Sequence, residues 1–288
     1  MKLNQAKEHL IHRMSEVQMT VNTIRKWKQI DFSPVPAIFG NAMPKSGSHL
    51  LLQILQGISQ IAPYRFVIQK PIRMITGEGR IRSHHEILND LNRLKSGVIG
   101  WGYVTSEPDF QAYFNQQKDL VSYFVYRDPR DQLLSSIFYA TNIHQTHALH
   151  DVYSNLPLDE AIKLAIIGNN RPDHLNLPNP YERYAKYLGW FNTPNTLCLR
   201  FEDLINDQEN SLNTILDHLE RGGFKIPTPR PEALRLVKAA IQPTKSPTFR
   251  KGKAGGWREH FTDEHKQLFK EVTGDLLINL GYEQNNDW

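Results

Sequence analysis

Apolar positions along the chain follow two rhythms. Near the start, Leu3, Leu10, Val17 and Ile24 recur every seven residues, with Met14 and Val21 offset by four from Leu10 and Val17. That spacing predicts a helix over about residues 3–29 with one apolar stripe. Ser33-Pro34-Val35-Pro36 ends it, because proline cannot continue a helix. From there short solid apolar runs alternate with helical patterns. Ala37-Ile38-Phe39-Gly40, the run 98–104, the run 120–126 and the run 196–201 read as buried strands, and a short strand is expected between Tyr64 and Ile72. Gly77-Glu78-Gly79 marks a loop. Helices are predicted from Leu50 onward and near 128–142, 157–168, 180–192, 208–221, 230–240 and 262–279. Strands alternating with helices predict an α/β fold: a single domain with a central parallel β-sheet flanked by helices and ligands above the strand carboxyl ends. The expected division is an N-terminal helical extension, 1–32, and one domain, 33–288. The extension either packs on that domain or serves as a partner-binding or dimer-forming helix.

Composition narrows the class. The chain has 288 residues, 40% of them apolar, enough for a full core. No apolar run reaches the roughly 18 residues of a membrane span, and the first residues lack the apolar core of a signal peptide, so a soluble, cytoplasmic protein is expected. One cysteine, Cys198, excludes an internal disulfide and any multi-cysteine metal site; its apolar neighbours predict packing rather than reactivity. The formal charge is +4. The informative cations fall in short Gly- and Pro-containing segments and not on one long basic face, which favours a small polyanion over nucleic acid.

Met43-Pro44-Lys45-Ser46-Gly47-Ser48-His49 lies between a strand and a helix. A turn there aims unpaired N–H groups and the positive end of the helix dipole at an anion. Gly47 permits close backbone approach, Lys45 adds charge, and Ser46 and Ser48 add hydroxyls, while His49 opens the helix. Lys45 precedes Gly47, whereas the common nucleotide loop places lysine after its last glycine. At the end of the 120–126 run stands Arg127-Asp128-Pro129-Arg130-Asp131-Gln132-Leu133-Leu134-Ser135. Pro129 suits a first helical turn capped by Asp128, and Ser135 lies about two turns from Arg127, so both can reach one phosphate. Phe249-Arg250-Lys251-Gly252-Lys253-Ala254-Gly255-Gly256-Trp257-Arg258 gathers cations and glycines into a loop able to wrap an anion.

These segments, in this order, resemble the cytosolic-type sulfotransferases. Pro44-Lys45-Ser46-Gly47-Ser48 looks like the family's 5′-phosphosulfate loop, and Arg127, Asp131 and Ser135 match its Arg-x-x-x-Asp-x-x-x-Ser 3′-phosphate motif. Arg250, Lys251 and Gly252 resemble the segment that closes over the 3′-phosphate, and Phe201-Glu202-Asp203-Leu204 resembles a Tyr-Glu-Asp-Leu whose tyrosine meets adenine. The resemblance implies a P-loop-like fold, the donor 3′-phosphoadenosine 5′-phosphosulfate (PAPS), the product adenosine 3′,5′-bisphosphate (PAP) and no metal. It also implies Lys45 as the group that stabilises the leaving phosphate, with Ser46 restraining Lys45 until an acceptor arrives. Sulfuryl transfer of this kind is a loose in-line displacement in which the protein positions groups and neutralises charge.

The chain departs from the family at the proton acceptor. Where the family has a histidine, Gly102-Tyr103-Val104-Thr105-Ser106-Glu107-Pro108 offers Tyr103. A phenol of reference pKa near 10 is a poor base at neutral pH unless strongly perturbed. Three readings stay open: another base (Glu107, Asp109, His84 or His85) or a Tyr103 tyrosinate; an acceptor that needs little base; or a nucleotide-binding protein of weak turnover. His49 is a further candidate if the mouth is open. His144, His147 and His150 are spaced by three and suit an acceptor lid better than a metal. The acceptor, a small molecule with a hydroxyl or nitrogen, is expected among Trp101, Tyr103, Phe138, Tyr139, His49 and Phe66, with no nucleic acid or membrane partner. The family's dimer segment is unmatched, since Gln267 stands at its glutamate position, which leaves a homodimer open. A small-molecule kinase is the rival enzyme.

Overall fold

The computed structural model describes residues 2–77, 79–169, 177–245 and 254–288, with side chains in the first helix from Met14 onward. Helix α1 (Lys2–Trp27) precedes strand β1 (Ala37–Ala42) and helix α2 (Ser48–Ile61). Two short strands, β2 (Phe66–Val67) and β3 (Ile72–Arg73), lead to α3 (His84–Leu91), β4 (Val98–Tyr103), α4 (Pro108–Gln116), β5 (Leu120–Tyr126) and α5 (Pro129–Phe138). After α5 one wide π-type turn (Tyr139–Ile143) precedes α6 (His150–Ser154), α7 (Leu158–Ile167) and α8 (Pro180–Ala185). The last strand, β6 (Thr196–Arg200), is followed by α9 (Phe201–Asn206), α10 (Gln208–Glu220), α11 (Arg230–Ala240), α12 (Asp263–Thr273) and α13 (Leu276–Asn279).

The described strands form one sheet in the order β2-β4-β1-β5-β6, with β3 also on β4, and their pairings are parallel. Strand β1 is buried along its whole length, as expected of a parallel strand covered on both faces. One face packs on α2, α10 and α11 through Leu51, Leu55, Ile58, Ile215, Leu216 and Val237; the other packs on α3, α4 and α8 through Phe39, Ile87, Phe110, Phe114 and Tyr184. A third apolar cluster joins α5, α7 and α12 around Leu133, Ile162, Trp257 and Phe269.

This order places the functional end. The chain leaves β1 towards α2 between β4 on one side and β5 on the other, which is the topological switch point where open α/β sheets leave a crevice. Asn41 pairs with Gly102 and Ala42 with Val125, so the three central strands end nearly level.

Several expected elements change under tertiary forces. Among its described side chains, the apolar stripe of α1 contacts the domain near the helix end: Val21 and Ile24 are half-buried, and Thr23 Oγ1 donates to the Tyr64 carbonyl at 2.8 Å, whereas Met14 and Val17 are exposed. The helix expected over 262–279 breaks at Gly274, whose φ of 53° is left-handed. The helix expected over 128–142 is α5 plus the wide turn. The one expected over 180–192 is α8 followed by a tight 3₁₀ turn, Leu188–Asn192. Among the described residues no helix is long and apolar enough to cross a membrane.

Candidate active site

The turn after β1 is built by unusual backbone. Gly47, at φ 96°, caps α2 and offers no side chain to its first N–H groups, so these stay available to an anion. A Cβ on Gly47 would lie 2.4 Å from the Phe201 ring, so this position has room only for glycine. Lys45 is also left-handed, at φ 68°, a conformation that costs an L-residue roughly 1–2 kcal/mol and is commonly stored at functional sites. The turn is tied to α5: Gln132 Nε2 donates to the Pro44 carbonyl at 3.0 Å, and Arg127 Nη1 to the Lys45 carbonyl at 3.4 Å.

Arg127 leaves the end of β5 and lays its guanidinium over the Phe201 ring at 4.6 Å. Asp128 caps α5 by accepting from the Arg130 N–H at 2.9 Å. The structure therefore brings Lys45, Gly47, Arg127 and Phe201 together, with half-buried Ser135 in the second turn of α5. Asp131 is buried and receives two backbone N–H groups from the closing segment, Gly255 at 2.7 Å and Trp257 at 2.8 Å. Burial pushes its pKa up against the pull of Arg127. Arg250, Lys251 and Gly252 lie outside the described residues; the end of their segment is anchored by Asp131 beside Arg127.

Sequence reasoning missed two supports. Asn41 clamps the chain after β4, donating to the Val104 carbonyl at 2.8 Å and accepting from its N–H at 2.9 Å. It fixes where Tyr103 points, and a polar residue inside a solid apolar strand was the only signal. Arg130 is buried between the Trp257 and Trp288 rings, 3.9 and 4.4 Å from their centres, and paired with Asp128 at 2.7 Å and Glu283 at 2.5 Å. It fastens the Trp257 segment and the C-terminal residues to α5.

On the acceptor side, Tyr103 and Ser48 share a hydrogen bond at 2.8 Å. Burial raises the Tyr103 pKa, outweighing Ser48 and Arg73, which works against a tyrosinate. The Lys45 ammonium lies 3.8 Å from the centre of the Tyr139 ring, and Tyr139 stacks flat on His144 at 5.5 Å and edge-on to His147 at 5.8 Å. Glu107 and Asp109 are engaged elsewhere, each holding one nitrogen of His84 at 2.6 Å. Three expected lining residues belong to the packing instead. Trp101 is buried with its Nε1 donating to the Ile68 carbonyl at 3.1 Å, and Phe138 packs against His260 at 5.5 Å. Phe66 joins the core under α3. Cys198 is half-buried, and burial pushes its thiol up to about 12, so it stays unreactive. No cluster of metal-ligating side chains occurs among the described residues.

A family description, the sulfotransferase domain, matches residues 118–281, more than half of the chain and the part holding Arg127, Ser135, Phe201 and Trp257. The chain belongs to the sulfotransferase family. Solved sulfotransferases share its fold. A mouse sulfotransferase complexed with PAP superposes with a TM-score of 0.58 at 16% identity, covering 88% of this chain and 91% of that one. Retinol dehydratase, in complex with androsterone and the inactive cofactor PAP, gives 0.54 at 16% identity, covering 83% and 80%. No curated protein matches the sequence.

The residues present fit the nucleotide that this fold family implies. The Ser46 hydroxyl is fully buried and has no hydrogen-bond partner in good geometry among the described residues. The N-terminus of α2 has no side-chain cap.

Proposed function

We propose that this sulfotransferase moves a sulfuryl group from PAPS to a hydroxyl or nitrogen of a small-molecule acceptor and releases PAP. The observation that carries this reading is the stitching of two anion-reading turns into one crevice, through the contacts of Arg127 and Gln132 with the backbone of Lys45 and Pro44. The 45–48 turn holds the 5′ end of the nucleotide, and Arg127 with Ser135 holds the 3′-phosphate, joined by Arg250, Lys251 and Gly252. Phe201 is buried beneath the Arg127 guanidinium and steadies the group that meets the 3′-phosphate.

When bound, the donor supplies the sulfuryl group. The protein orients it and meets the charge that grows on the leaving phosphate. Lys45 does this, leaving the Tyr139 ring for the 5′ end. The wide turn that carries Tyr139 is of a type often found at functional sites. Tyr103 and Ser48 hold the acceptor's end of the crevice. A cytoplasmic protein acting without metal is part of this reading.

Calorimetric titration with PAP, followed by measurement of PAP release from PAPS with a broad acceptor panel, tests the proposal. Tight PAP binding with acceptor-dependent release supports it. Preference for ADP over PAP would favour a kinase. PAP binding without turnover would leave a nucleotide-binding protein, a reading that Tyr103 at the family's histidine position favours.

A further inference from the structure

At the family's histidine position stands Tyr103, whose pKa burial raises, so an acceptor that has a proton to lose needs another group to take it. The described side chains at its mouth can be sorted by what their atoms already do. His84 has both ring nitrogens against carboxylates at 2.6 Å, and the hydrogen bond with Asp109 raises its pKa; both nitrogens are already engaged. The same pairing occupies Glu107 and Asp109, and Glu107 also accepts from the Thr105 hydroxyl at 2.8 Å. His147 accepts the Leu149 N–H on Nδ1 at 3.1 Å, so its neutral ring carries the proton on Nε2 and offers no lone pair. His144 is exposed and stacked flat on Tyr139. His150 turns Nδ1 to the Ala140 carbonyl at 2.8 Å, and His85 is exposed.

His49 differs from all of these. It is half-buried in the first turn of α2, next to Ser48, whose hydroxyl meets Tyr103. Its ring lies 6.3 Å from that of Trp101, which in turn packs edge-on to Tyr103 at 5.9 Å. Neither ring nitrogen has a hydrogen-bond partner among the described residues. Burial first, then Lys45 and Arg73, lower its pKa, and the positive end of α2 acts in the same direction, so a nitrogen lone pair is available at neutral pH.

Resting on the sulfotransferase reading above, we propose that His49 is the general base of this enzyme, in place of the family's histidine. As the acceptor oxygen or nitrogen bonds to sulfur, its proton passes to the free ring nitrogen of His49. The bond from sulfur to the 5′-phosphate oxygen breaks, and its electron pair stays on that phosphate, where Lys45 offers its charge. The His49 imidazolium then returns its proton to water. The charged groups that act on His49 are Lys45 and Arg73; Tyr103 stands beside Arg73, and Tyr139 and His147 lie beyond Lys45.

The test is PAP release from PAPS, with the acceptor panel described above, by the full chain and by His49→Ala and His49→Gln, alongside calorimetric PAP binding and thermal melting. General-base removal is expected to slow release by about 100-fold or more, with PAP affinity within about threefold of the parent, and added imidazole should restore at least about tenfold in His49→Ala. A purely structural role would not give imidazole rescue. The inference is overturned if either folded variant keeps the parent rate, if PAP affinity falls as far as the rate, if imidazole restores nothing, or if the parent binds PAP yet releases none from PAPS. A parent chain that does not bind PAP at all refutes the donor reading itself, which separates the two failures.

Discussion

Gly47→Ala is the most direct probe of the crevice, because its cost can be worked out from two geometric facts. The residue sits at φ 96°, and moving an L-residue into that region costs roughly 1–2 kcal/mol. The new Cβ would stand 2.4 Å from one Phe201 ring carbon and 3.0 Å from the next, and overpacking of this kind costs roughly 1–3 kcal/mol. The sum, roughly 2–5 kcal/mol, is a large part of the ~5–15 kcal/mol that holds a domain folded. At about 2–4 °C per kcal/mol for a chain of this size, melting should fall by roughly 4–20 °C. Displacing Phe201 also disturbs the Arg127 guanidinium stacked on it. The stabilisation that PAP gives the parent, about 2.7 kcal/mol at a hundredfold excess over Kd, should therefore shrink in the variant. Thermal melts with and without PAP read both effects. Repeating the substitution in a Phe201→Ala background isolates the clash: there only the backbone cost of roughly 1–2 kcal/mol should remain. A variant that melts with the parent and gains as much from PAP would refute the reasoning.

Arg127→Ala should weaken PAP by roughly 10- to 150-fold, the value of a charge-assisted hydrogen bond of roughly 1.5–3 kcal/mol, while 5′-AMP, which lacks the 3′-phosphate, loses much less; calorimetry with both ligands checks this. Asp131→Asn turns an NH₂ group towards one of two backbone N–H donors and should cost roughly 1–3 kcal/mol of stability, with denaturant titration as the readout. Acid should destabilise the fold through His218, whose Nε2 faces the Ser122 and Asn195 carbonyls at 3.2 and 3.1 Å and whose pKa burial lowers. With the folded pKa below the unfolded one, the unfolded chain binds the extra proton, so stability present above about pH 6.5 is lost as pH falls towards the folded value, at up to about 1.4 kcal/mol per pH unit. His218→Gln should flatten that limb in denaturant titrations, and an unchanged slope would refute the assignment.

What could be read in the sequence was what the backbone writes locally. The glycine of the 45–48 turn, Pro129 with its Asp128 cap and the spacing of Arg127 to Ser135 each depend on a few adjacent residues, and each lies where its pattern implies. What stayed hidden depends on distant partners. Asn41 matters because Val104 follows the neighbouring strand, and Arg130 because Trp257 and Trp288 arrive from the far end of the chain. Trp101 was expected in the pocket, but the Ile68 carbonyl beside it offers its indole N–H a partner inside the core. Phe138 was expected there too, but the wide turn beginning at Tyr139 swings the chain so that Tyr139, not Phe138, meets Lys45. Nothing in the local pattern marks either outcome.

The electrostatics of the crevice give its two tasks one origin. Lys45, Arg73 and Arg127 supply positive charge, and of the nearby carboxylates Asp131 is committed to backbone N–H groups while Glu107 and Asp109 are paired with His84. Such a field suits a doubly phosphorylated nucleotide. It also decides which kind of base can work there. A carboxylate, with a reference pKa near 4, would be driven further from neutrality by these cations and would become a still poorer proton acceptor. An imidazole starts near 6.5 and is uncharged as a base, so burial, the first cause of its lowering ahead of Lys45 and Arg73, favours the form that accepts the proton. A bound polyanion offsets the same cations and moves the imidazole back up. On the assignment of His49 as base, the crevice is therefore most basic when the donor is in place, and least so when it is empty.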